Sequence, residues 1–80
     1  MHEFKLVADA LKNVLITAEE NRAKKVTIVR FQVGENCHVK PDNVEFLFRQ
    51  AARGSIAEDA KIEISAIPGE ELVLSSIQVD

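Results

Sequence analysis

Phe4, Val7, Leu11, Val14, Leu15 and Ala18 recur at steps of three and four at the start of the chain. That spacing lines one stripe of an amphipathic helix over residues about 3 to 22. Lys5, Asp9, Lys12, Asn13, Glu19 and Glu20 fill the opposite side. No glycine follows to cap the helix, and Asn21-Arg22-Ala23 is its expected end.

The period then changes from helical to alternating. Residues 26–33, VTIVRFQV, are rich in β-branched side chains and read as a strand. Thr27, Val29, Phe31 and Val33 are predicted to face the core, with Val26, Ile28, Arg30 and Gln32 facing out. Gly34 ends the run, and Glu35 to Lys40 read as a loop.

Pro41 suits a first helical position and Asp42 a first turn. Val44, Leu47, Phe48, Ala51 and Ala52 continue a helical stripe to about residue 53, and Gly54 supplies a left-handed stop. Phe46 falls off that stripe and is predicted to pack under the preceding loop. Arg49 and Arg53 stand late in the helix, where cations suit its dipole.

After a turn at Glu58-Asp59-Ala60, residues 61–66 alternate again, with Ile62, Ile64 and Ala66 inward. Pro68-Gly69 breaks the chain. Residues 72–79 change parity midway: Leu72 and Leu74 share one face, Ile77 and Val79 the other. A bulge near Ser75-Ser76 would bring all four to the core.

The order helix, strand, helix, strand, strand predicts an α+β fold. Two helices pack on one face of a three-stranded mixed β-sheet, the second helix crossing over between the first two strands. The last two strands are expected to pair antiparallel across Pro68-Gly69. The other sheet face keeps Val26, Ile28 and Val73, so that face or a sheet edge is where a partner chain, including a second copy, would dock.

Composition narrows the function. Eighty residues make one small domain, and 46% apolar with 29% charged residues is a globular balance. A net charge of −3 disfavours phosphate-tracking nucleic-acid binding. No apolar run approaches the roughly 20 residues of a membrane helix, and the start lacks a secretory pattern. The expected address is cytoplasmic. Cys37 is the single cysteine, which excludes an internal disulfide and any Cys-based zinc module within one chain.

Two places could carry chemistry. At the start, Met1-His2-Glu3 offers a chelate: the α-amine, the backbone nitrogen of His2 and its imidazole can close around one square-planar ion. Glu3 also reads simply as a first-turn acid. A bulky His at position two disfavours removal of Met1, so the amine stays adjacent. In the loop, Glu35, Cys37 and His38 are metal-capable, but two or three side chains do not make the four ligands of structural zinc. Cys37-His38 is the only nucleophile-like pair, without an orienting acid at recognisable spacing, so an enzyme is not expected.

Taken together, Met1-His2-Glu3-Phe4, the strand from Lys25 to Gly34, Val39-Lys40-Pro41-Asp42 with Phe46 and Phe48, the segment Ala60 to Ile64 and the ending Gly69 to Val79 resemble the HypA/HybF family, the nickel-insertion accessory proteins of hydrogenase maturation. The resemblance runs in order along almost the whole chain. It implies a single nickel-binding domain over residues 1–80, a metallochaperone-like role in nickel delivery, and nickel(II) held by His2 with Met1 and Glu3. It also implies as partners a nickel-delivery GTPase and a hydrogenase large-subunit precursor. Members of the family carry two Cys-x-x-Cys pairs in a zinc module between the last two strands. Here Pro68 passes straight to Gly69, so no zinc is expected. The family's neighbouring loop contributes a carboxylate, but Lys40 stands at the matching position; Cys37, His38 and Asp42 stay unassigned. The alternative is a metal-independent interaction or assembly module on the same fold.

Overall fold

The computed structural model describes residues 2–80, with side chains from Glu3 onward. Met1 and the His2 side chain, central to the chelate predicted above, lie outside the described residues. The elements are α1 (His2–Glu20), β1 (Val26–Gly34), α2 (Pro41–Ala51), β2 (Lys61–Ile67) and β3 (Leu72–Val79). Both helices share one core cluster with the sheet, as the periodicity predicts.

Strand order departs from expectation. The order is β2-β1-β3: β2 runs parallel to β1, and β3 pairs antiparallel on its other side. The expected β2–β3 pair across Pro68-Gly69 does not form; residues 68–71 instead arch over the end of β1. The most buried strand is thus the central one, with Val26, Val29, Phe31 and Val33 in the core. Lys61 and Glu63 lie on the edge strand β2, where charge discourages further pairing.

The parity change in β3 is resolved as predicted. Arg30 pairs with Ser76 and Phe31 with Leu74, leaving Ser75 as a bulge. Leu72, Leu74, Ile77 and Val79 all pack against the core. A second bulge was not legible in the pattern: Val26 pairs with Val79 but Ile28 with Gln78, leaving Thr27 as the extra residue. Val26 is therefore buried and Thr27 exposed, the reverse of simple alternation. The Thr27 hydroxyl donates to the Gln78 carbonyl at 3.0 Å. Ala66 is exposed, because edge strand β2 runs past the core there.

The core is small and aliphatic around one aromatic pair. Phe31 and Phe48 meet edge to face, with centroids 5.6 Å apart, a favoured geometry. Val7, Val14, Val29, Val39 and Val44 are fully buried around them. Phe46 is 61% exposed and does not pack under the loop; on α2 it points opposite Val44 and Phe48, where no element covers it. With Val26 buried, the open sheet face keeps Ile28 and Val73 beside an Arg30–Glu63 ion pair of 2.9 Å.

Candidate metal centre

The C-terminal cap of α1 sets where its other end lies. Ala23 N–H donates to the Ala18 carbonyl at 3.0 Å and Arg22 N–H to the Glu19 carbonyl at 3.0 Å. This paired closure needs a left-handed residue between them. Arg22 supplies it at φ 54° in place of glycine. Residues 21–25 then lead directly into β1, so the end of α1 sits at the beginning of β1. A 19-residue helix rises roughly 28 Å and a nine-residue strand roughly 30 Å. The start of α1 therefore lies at the end of the domain where β1 finishes.

That end of the domain is closed by a backbone clamp. Gly34 N–H donates to the Glu71 carbonyl at 2.8 Å, Glu35 N–H to Ile67 at 2.8 Å and Asn36 N–H to Gly69 at 2.9 Å. Three consecutive amides of the β1 end thus hold the β2–β3 connection. Cys37 N–H turns back to the Gly34 carbonyl at 2.9 Å, and its side chain is only 3% exposed. Lys40, in extended conformation, precedes Pro41 at the head of α2.

The predicted ligands divide accordingly. Glu3 is an exposed acid in the first turn of α1. Backbone of His2 opens that helix. Glu35, His38 and Asp42 are exposed, whereas Cys37 points into the core. The thiol of this polar loop is thus a core side chain. Among the described residues, no group of three His, Cys, Asp or Glu side chains converges to hold a metal. The loop does not bring Glu35, Cys37 and His38 together.

Charge gathers at the same end. Glu3, Glu35, Asp42, Glu70 and Glu71 stand there against Lys40, since Lys5 is paired with Asp9. All five carboxylates are exposed, and none is in an ion pair among the described residues. Lys5 is engaged by Asp9 at 3.0 Å.

A sequence model of a family described as hydrogenase/urease nickel incorporation, metallochaperone, HypA, matches residues 1–75. The chain belongs to the HypA family. The HypA hydrogenase maturation factor of Archaeoglobus fulgidus is 48% identical over 65 residues, covering 81% of this chain and 59% of that protein. The HypA maturation factor of Rhizobium leguminosarum bv. viciae is 39% identical over 70 residues, covering 88% and 62% respectively. The solution structure of the nickel metallochaperone HypA from Helicobacter pylori superposes with a TM-score of 0.73 at 17% identity. It covers 92% of this chain and 70% of that one, a likeness of fold. This chain spans about three fifths of the length of the two maturation factors. The HypA family is described by nickel incorporation and a metallochaperone role. Among the described residues, no helix is long and apolar enough to cross a membrane.

Two features of this end escaped the sequence. The role of Gly34 was hidden because a strand-terminal glycine reads only as a stop. The burial of Cys37 was hidden because its loop is polar on both sides.

Proposed function

We propose that this HypA-family domain captures nickel(II) at its N-terminus and passes it on in hydrogenase maturation. The observation that carries the reading is the family match over residues 1–75, which includes Met1-His2-Glu3. The α-amine of Met1, the backbone nitrogen of His2 and the His2 imidazole are the donors, with the Glu3 carboxylate beside them. Nickel(II) accepts imidazole and amide nitrogen in tetragonal geometry. Exposure of the first turn of α1 leaves room for such a chelate and for release of the ion to a partner. Copper(II) suits the same donors at least as well, so selectivity comes from supply or from partners.

Nickel is the only metal in this reading. One buried cysteine cannot make a four-cysteine zinc module. A nickel-delivery GTPase and a hydrogenase large-subunit precursor are the proposed partners, in a cytoplasmic setting. Calorimetric titration of Ni²⁺ into the untagged chain tests the site. Binding is expected at one ion per chain and is expected to be lost in His2→Ala and in a chain extended at its N-terminus. Unchanged affinity in both would remove the site.

A further inference from the structure

The first turn of α1 stands at the margin of the core. Glu3, Phe4, Lys5 and Leu6 are all exposed, and Val7 is the first buried residue of the helix. Phe4 lies on the apolar stripe yet remains 43% exposed, so the core covers it only in part. Within the described part of this turn, the one side-chain tie is the exposed Lys5–Asp9 pair. Helix with little tertiary packing is marginal in water, so this turn is the weakly held end of α1.

We infer that nickel capture and formation of this first turn are coupled, each stabilising the other. The inference rests on the nickel reading above. A helix leaves its first amide N–H groups without intrahelical acceptors. Nickel(II) can therefore displace the amide proton of His2 to solvent without breaking a helix hydrogen bond. The resulting amidate is an anion at the positive end of the helix dipole, which favours it only when the turn is helical. By linkage, the same dipole makes the bound amidate favour the helical form of the turn, in which the Leu6 and Val7 amides donate to the His2 and Glu3 carbonyls. The turn thus acts as a sensor of occupancy, ordered when loaded and loosened when the ion leaves.

Lys5 is exposed and lies outside the donor set, so it can be varied without touching the chelate. Lys5→Ala removes the pair with Asp9 and keeps high helix propensity; Lys5→Gly removes the pair and also disfavours the helix. For a weakly held turn, the glycine lowers the competent fraction and weakens Ni²⁺ binding by about threefold, while the alanine leaves it near the original. Ni²⁺ is also expected to slow hydrogen exchange at the Leu6 and Val7 amides. Calorimetry and exchange measured on the original chain and both variants decide the matter. His2-dependent binding of equal strength in all three chains, or unchanged exchange, overturns the coupling and leaves the nickel reading in place. No His2-dependent binding in the original chain overturns the nickel reading itself.

Discussion

The carbonyl oxygen of Gly69 lies 2.3 Å from the point where a Cβ on Gly34 would stand. The carbonyl carbon of Gly69 and the Glu70 nitrogen follow at 2.6 and 2.9 Å. All three are backbone atoms of the connection that arches over β1, so no side-chain rotation can make room. Gly34→Ala is expected to destabilise the domain by about 2 kcal/mol or more, as overpacking does where the backbone must shift. Gly54→Ala meets no neighbouring atom and costs only its left-handed conformation at φ 80°, about 1 kcal/mol. Urea unfolding of both variants separates the two effects. Equal losses would mean the clamp relaxes freely.

Arg22 offers a gain. Its left-handed backbone closes α1 where glycine would be free of strain. Arg22→Gly is expected to stabilise by about 0.5–1 kcal/mol. For a domain of this size that raises the thermal midpoint by a few degrees, at roughly 4–8 °C per kcal/mol. A lower midpoint would show that Arg22 makes contacts worth more than the strain.

Phe46 and Phe48 are two positions apart and should behave oppositely. Phe48 is fully buried against Phe31, and Phe46 is largely exposed. Phe48→Ala is expected to cost about 3–5 kcal/mol and Phe46→Ala no more than about 0.5 kcal/mol. Chemical denaturation reads both directly.

On the proposed nickel site, acid and salt should both act. A ligand imidazole must be neutral, and the reference histidine pKa is about 6.5. Below that pH a proton competes with the ion, so apparent affinity falls as pH drops through it. The exposed carboxylates at this end, unpaired among the described residues, attract a divalent cation through a field that salt screens, its reach falling from about 10 Å at 0.1 M to 3 Å at 1 M. Stopped-flow association of Ni²⁺ is expected to slow several-fold over that range. A rate insensitive to salt would remove the acidic end from the capture step.

Much of this was readable from residue order, and the failures have local causes. Strong periodicity located all five elements, because Val7, Leu11, Val14 and Ala18, or Val29, Phe31 and Val33, leave one workable face each. Even the Ser75 bulge showed itself, since Ile77 and Val79 could reach the core no other way. Strand order was missed because Pro68-Gly69 looks like a hairpin turn whichever strands it joins. What excludes the hairpin is tertiary: the connection is held by the amides of Gly34, Glu35 and Asn36, far away in sequence. Thr27 was misplaced because a β-branched residue gives no sign that it stands outside the ladder. At the start of the chain, His2 suggested a chelate whose side chain lies outside the described residues, while Phe4 on the helical stripe gave no hint that it would stay partly exposed.

The bulges at Thr27 and Ser75 lie on opposite strands and offset one another in register. Removing Ser75 would leave Leu72, Leu74, Ile77 and Val79 in plain alternation, all still inward. Removing Thr27 would do the same for Val26, Val29, Phe31 and Val33. Chain length and ladder length are therefore separate quantities in this sheet: it can lose a residue at either point and keep the same inside and outside, whereas loss of Val73 or Gln78 would turn part of the strand inside out.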